Sequence, residues 1–496
     1  MDWHNTFDQS ELGVSLNWEQ ARRIRYGEFE SAVRQYEPIG LLRDIAGRSS
    51  QTQEFLGFSE SWGRLAPWTL SGLARASIMT SNRNRSKLID ERGFWRIAAL
   101  FEQIETTPSD RFELVPFLLG KAHEQSPYQF SAKENLIRTI LLLETKISYK
   151  EAKSAGDWAE LLHVPLEDAA VSTLAVHAVA RENGGVFNRE VIRQLYSESI
   201  HDLAPVESFM GTLDRLTATL DEARVDALAA PQLRDGWRKY GYNPLVKTPL
   251  INIGDGVLCA PQTQWVLRSF SPENLYYLGW KKWKGDFGTE LGYRVEAYTG
   301  DQLNHSGQLE VLPEIRWGKA NGKLSVDWFL ITPTATILIE CKSARTTLNA
   351  RAGDPTAVRS ISQKLEAGFR QIDTTHDEII SGNSSFAAIP RDRPIIGLLI
   401  TAEPCYLANT TDIRAALPET KIPILAASLP DIEHLATLPG EVLGDIFVRI
   451  VNDPELMTYD LSNSIRQLFG ENYLPPRNEL IDAAYLKYVM PERLIK

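Results

Sequence analysis

The sequence predicts an α/β protein, in which a mainly α-helical N-terminal domain precedes a mixed β-sheet core flanked by helices. Three observations predict this. Residues 309–343 read as three short antiparallel strands. Two later apolar runs, Arg393–Thr401 and Ile422–Ala427, have the composition of strands buried on both faces, and a helical apolar period precedes the first of them. Residues 1–240 instead carry long stretches of good helix formers.

In chain order, Asn17 with Gln20 and Ser131 with Glu134 have the spacing of helix capping boxes. Ala132–Thr145 and Leu166–Glu182 read as helices, and Asn183-Gly184-Gly185 stops the second because glycine accepts the left-handed conformation of a helix end. Leu88, Trp95, Ala99 and Phe101 read as core. Between Tyr240 and Gly279, Asn243-Pro244, Thr248-Pro249 and Gly254-Asp255-Gly256 punctuate two β-like runs, Leu250–Ile253 and Val257–Cys259. The expected domains are a helical 1–240, a small β-containing connector 241–280, the sheet domain 281–440 and a helical extension 441–496. That extension is expected to pack on the core through Ile446, Phe447 and Ile450, which are costly to leave exposed.

Composition is that of an ordinary globular protein: 496 residues, 43% hydrophobic and 24% charged. The sequence has no secretory leader pattern and no run of 18 apolar residues, which predicts a cytoplasmic protein with no membrane partner. Cys259, Cys341 and Cys405 lack paired spacing, which excludes a zinc ribbon and a disulfide framework. His123, His163, His177 and His201 lack metal-ligand spacing, and the absence of a glycine-rich phosphate loop removes a nucleotide-driven motor from consideration.

The chemistry concentrates in the hairpin. Leu309–Trp317 alternates apolar and polar residues, Asn321-Gly322 suits a tight turn, Leu324–Ile331 forms a second strand, and Thr332-Pro333-Thr334-Ala335 turns into a third strand from Thr336 to about Ser343. With that turn centred between Pro333 and Thr334, Asp327 lies opposite Glu340, their Cβ atoms roughly 4.5–5.5 Å apart. Alternation puts Lys342 on the same face and Cys341 on the other. Like charges facing each other need a cation. Lys342 alone would serve, or a divalent metal held by Asp327, Glu340 and the main-chain carbonyl of Cys341, hard oxygen donors suited to Mg²⁺.

Asp327, twelve intervening residues and then Glu340-Cys341-Lys342 on adjacent strands resembles the PD-(D/E)XK nuclease superfamily, with Val326 where that pattern usually has proline. The resemblance covers about residues 280–430. It implies that Leu291–Gly300 is the helix opening the core, with Glu296 reaching the metal through water and Glu290 as the alternative. It also implies that the helix after the hairpin, with Asp354-Pro355 at its start and Val358, Ile361, Leu365, Phe369 and Ile372 inward, carries a glutamine near the lysine; Gln371 is the choice over Gln363.

A net charge of −11 argues against indiscriminate coating of nucleic acid. Local charge differs: Lys281, Lys282 and Lys284 alternate with tryptophans, and Arg345, Arg359 and Lys364 follow the hairpin, a set able to track a phosphate backbone and stack on bases. The resemblance implies a Mg²⁺-dependent endonuclease, with Mn²⁺ as substitute and DNA as partner, in bacterial defence or restriction. The catalytic set is then Glu296, Asp327, Glu340, Lys342 and Gln371. A silent binding module on the same fold, or an effector activated by a protein partner or as a homodimer, remains the alternative.

Overall fold

The structure is a computed structural model and describes residues 24–51, 65–80, 82–104, 111–128, 131–199, 204–231, 233, 235–305, 307–351, 356–470 and 472–490. The expected cap at Asn17 and Gln20, the helix start at Asp354-Pro355 and His201 lie outside the described residues. Within them the protein is α/β, and helices dominate the N-terminal half. Ser131 caps the helix Ala132–Glu144 by accepting from the Glu134 N–H at 3.3 Å, and the helix Leu166–Glu182 ends on Asn183, with Gly184 at φ 63°. Leu88 is a correction. It is 68% exposed because the helix Glu91–Glu102 begins after it and turns Phe94, Ile97, Ala98 and Phe101 inward instead.

The β-like runs near 250 form strands, and they belong to a larger sheet than the sequence suggested. β1 (Val186–Asn188) and β2 (Thr217–Thr219) flank the hairpin of β3 (Leu250–Gly254) and β4 (Val257–Cys259) in the order β1-β4-β3-β2. Two three-residue strands inside a helical sequence carry too short a period to be read.

The second sheet holds β5 (Glu310–Pro313), β8 (Trp328–Ile331), β9 (Thr336–Lys342), β10 (Ile395–Thr401) and β11 (Ile424–Ser428), in the order β11-β10-β9-β8-β5. Between β5 and β8 the chain makes the short ladder of β6 (Arg316–Trp317) with β7 (Lys323–Leu324). The pairs β5–β8 and β8–β9 are antiparallel, while β9–β10 and β10–β11 are parallel, so the sheet is mixed. Every residue of β10 is buried, in keeping with its unbroken apolar run.

Helices cover both faces. On one, Leu291, Val295 and Tyr298 of the helix Gly285–His305 pack on Ile337, Ile339 and Cys341, joined by Ile446, Phe447 and Ile450 from the helix Gly440–Val451. On the other, Ile361, Leu365, Phe369 and Ile372 of the crossover helix Ala357–Ile380 meet Phe329, Leu338 and Leu399. N-terminal side chains enter these same cores: Val115 and Leu119 join the second, and Leu142 the first. A buried ion pair adds to this contact, Arg138 Nη2 donating to Glu433 Oε2 at 2.5 Å and Tyr298 donating to Glu433 Oε1 at 2.6 Å. No helix among the described residues is long and apolar enough to cross a membrane.

Candidate active site

The hairpin has the expected register. Trp328 faces Ile339 and Ile331 faces Thr336, so one step further Asp327 faces Glu340. The strand expected over Leu324–Ile331 is nevertheless interrupted, with Ser325, Val326 and Asp327 outside the regular ladder. Their backbone is satisfied largely from elsewhere: Gln371 donates to the carbonyls of Leu324 and Ser325, the latter at 3.0 Å, and the Val326 N–H donates to Thr375 Oγ1 at 3.1 Å. The crossover helix therefore holds the segment that leads into Asp327.

Asp327 Oδ2 accepts from the Cys341 main-chain N–H at 2.6 Å. Glu340 is 4% exposed, and its Oε1 takes an ion pair from Lys342 Nζ. Its Oε2 is buried with no hydrogen-bond partner, the cost that a buried carboxylate normally avoids. Burial and the neighbouring Asp327 charge push the Glu340 carboxyl well above the usual range, and burial pushes Asp327 up as well. Cys341 points to the other face, into the core with Val295 and Tyr298.

Glu296 approaches from the helix Gly285–His305. Its pKa is raised to about 7 by desolvation and then by the charges of Asp327 and Glu314, while Lys342 lowers it. Glu290, the alternative, is committed elsewhere: it is fully buried, bonded to Arg294 Nε at 2.6 Å and to the Lys153 N–H at 3.0 Å. Sequence reasoning missed Glu314. Pro313 faces Trp328 in the β5–β8 ladder, so continuing that register one step sets Glu314 across from Asp327. The signal was the alternation of Leu309–Trp317, but the pairing of this strand with β8 passes through an irregular turn that sequence spacing does not define.

The predicted cations are not one surface. Lys281, Lys284 and Arg359 are exposed, and Lys284 closes the helix Pro272–Trp283 at φ 56°. Lys282 pairs with Glu160 at 2.6 Å. Arg345, expected at a nucleic-acid face, is instead buried: it pairs with Glu403, and its guanidinium carbon lies 3.9 Å from the centre of the Tyr276 ring. Glu403 follows β10 and also takes Arg351, a partner too distant in sequence to foresee. Lys364 is half-buried and donates to the Arg345 carbonyl. Gln371 makes its described hydrogen bonds to residues 324 and 325 rather than to Lys342.

Against this geometry, comparison with known proteins finds no matching family model, no matching curated protein and no matching solved structure.

Whether the site suits a metal is then a question of its own donor atoms. Among the described residues no three His, Cys, Asp or Glu side chains are gathered closely enough to hold an ion. Two carboxylates with the Cys341 carbonyl are nonetheless a hard-oxygen donor set, and the unpartnered Oε2 of Glu340 is an acceptor lacking a cation or a proton. On that observation the residues fit Mg²⁺. The three free cysteines are dispersed: Cys259, Cys341 and Cys405 pack in or against three different hydrophobic clusters.

Proposed function

We propose that the protein is a metal-dependent nuclease of the PD-(D/E)XK type that hydrolyses DNA phosphodiester bonds. The observation carrying this reading is the pairing of Asp327 with Glu340 across β8 and β9, with Lys342 on the same face and Glu340 Oε2 unpartnered. Asp327, Glu340 and the Cys341 carbonyl would hold Mg²⁺, or Mn²⁺ in its place, with Glu296 in the outer shell. Bound there, the ion would supply Lewis acidity to a water and offset charge on the phosphate. Lys342, freed from Glu340, would donate to a phosphate oxygen or orient the attacking water. Glu296, half-buried and close enough to feel the Asp327 charge, is placed to accept a hydrogen bond from that water. Lys281, Lys284 and Arg359 are the exposed cations available to the DNA backbone. A role in bacterial defence or restriction would accord with a nuclease-like sheet attached to a large helical region.

The test is cleavage of supercoiled and linear DNA in Mg²⁺, Mn²⁺ or EDTA, by wild type and by Lys342→Ala. Cleavage that requires metal and disappears in the variant is expected; metal-dependent cleavage that survives there overturns the assignment. The Lys342–Glu340 ion pair favours a second reading, a site held silent until a partner or second copy displaces the lysine, or a binding module that never cuts. Equal DNA binding in EDTA and in Mg²⁺, without cleavage, would favour the module.

A further inference from the structure

A cavity of about 470 Å³ opens where the N-terminal helices meet the sheet domain, well within the range of small-molecule sites. Its walls carry seven lysine or arginine side chains against four carboxylates, in a chain whose net charge is −11. The carboxylates are largely engaged. Glu403 takes Arg345 and Arg351, Asp226 accepts from the Tyr242 hydroxyl at 2.8 Å and from Lys247 at 3.2 Å, and Glu273 interacts with Ser271 and Arg268. Glu124 lies 3.4 Å from Lys121 through Oε2, while its buried Oε1 has no hydrogen-bond partner and lies 3.9 Å from Lys239.

Three arginines of the wall make no ion pair with a carboxylate among the described residues. Arg268 donates to the Ser126 carbonyl at 3.4 Å and feels the charge of Glu273. Arg75 spends its donors on neutral acceptors, the carbonyls of Tyr242 at 2.7 Å and Arg238 at 2.8 Å and the Tyr26 hydroxyl at 2.8 Å. Arg215 is left further from balance: its Nε and Nη2 are buried with no hydrogen-bond partner, and desolvation pushes its pKa down to about 10. Two buried guanidinium nitrogens without an acceptor are costly, and an anion in the cavity would remove that cost. His123 Nε2, also on the wall, is buried and unpartnered, and burial holds the ring neutral.

The wall also carries aromatic rings among its small and polar residues. Trp68, Tyr128, Tyr240, Tyr277 and Tyr406 line the same space, surfaces on which a planar ring stacks. Unbalanced arginines beside aromatic faces select an anion joined to a flat ring rather than either alone.

We infer that this cavity binds a nucleotide, with Arg215 and Arg75 facing the phosphate and the tyrosines of the wall flanking the base. The inference stands apart from the nuclease reading, since it needs neither the carboxylates of the hairpin nor a metal. The two sites are physically connected: Glu403 on the cavity wall holds Arg345, three residues beyond Lys342.

The test is calorimetry and thermal melting of the full chain in EDTA, with AMP, GMP, CMP, UMP, adenosine and inorganic phosphate as separate probes. At least one nucleotide is expected to bind and to raise Tm, at least tenfold more tightly than adenosine or phosphate. Arg215→Gln should weaken that binding at least tenfold while leaving the unliganded Tm unchanged or higher, and Arg215→Lys should retain most of it. Lys281→Glu, an exposed change at the cavity wall that spares the core, should also weaken it and covers the case in which Arg215→Gln fails to fold. Failure of all four nucleotides to bind at millimolar concentration overturns the inference. So does nucleotide binding that neither Arg215→Gln nor Lys281→Glu weakens, and phosphate binding as tight as that of the nucleotides.

Discussion

The main-chain N–H of Cys341 donates to Asp327 Oδ2 at 2.6 Å, which fastens Asp327 to the backbone of the strand that carries Glu340. An asparagine oxygen can accept the same bond, and its NH₂ can donate toward the unpartnered Glu340 Oε2. Asp327→Asn is therefore expected to melt in EDTA at the wild-type temperature or above it. The same variant should lose the Tm rise that Mg²⁺ or Mn²⁺ is expected to give the wild type under the proposed function, a stabilisation of about 2.7 kcal/mol at roughly 100 times Kd. Paired melts in EDTA and in millimolar metal check both halves, and a clear loss of stability in EDTA would mean that Asp327 serves chiefly as a partner of Lys342.

Removing the lysine acts in the opposite sense. Lys342→Ala leaves Asp327 and Glu340 facing each other without their cation, in an environment that already raises both carboxyls by burial. The variant should be destabilised at pH 8, where protonating the pair is hardest, and much less at pH 5.5, where protons replace the ammonium. Tm measured at both pH values in EDTA checks this, and a loss independent of pH would count against it.

Glu296 is expected to make the metal-free protein less stable as pH rises. Its folded pKa of about 7 lies above the ordinary 4.5, so the folded chain holds more protons than the unfolded chain between those values. The stabilisation is present below pH 4.5 and is lost as pH rises through 7. After discounting for solvent screening of a half-buried group, its size is on the order of 1 kcal/mol. Glu296→Gln should flatten the fall of denaturant-measured stability between pH 5 and 8, and an unchanged slope would show that the carboxyl titrates normally.

The buried pair Arg138–Glu433 should be among the costliest contacts to break, because either charge alone would be stranded in the core. Arg138→Ala is expected to lose about 3–5 kcal/mol, and the double change Arg138→Met with Glu433→Leu to recover part of it, the remainder reflecting the Tyr298 hydroxyl left without Glu433. Urea unfolding of the three proteins provides the comparison, and equal losses in single and double variants would contradict it.

Arg345 and Arg359 separate structure from binding. Arg345→Ala removes a buried partner of Glu403, which keeps Arg351, and should cost on the order of 2–3 kcal/mol. Arg359→Ala is exposed and should leave Tm unchanged while weakening DNA binding and lowering its salt dependence. Melting and binding titrations at two salt concentrations distinguish the two.

What depends on neighbours along the chain was legible before any fold was known. The turn at Pro333 and the alternation on either side set the register that brings Asp327 to Glu340, because a hairpin's pairing follows from its own turn. Helical period and stop signals likewise located the helix Leu166–Glu182, and an unbroken apolar run located β10. Which distant groups share a site follows instead from how the layers pack. Glu314 reaches Asp327 through a strand pairing that crosses an irregular turn, Gln371 holds the segment before Asp327 from another layer, and Glu403 draws Arg345 away from solvent. Spacing in sequence carries no record of such meetings, since they follow from how buried polar groups find partners once the layers have packed.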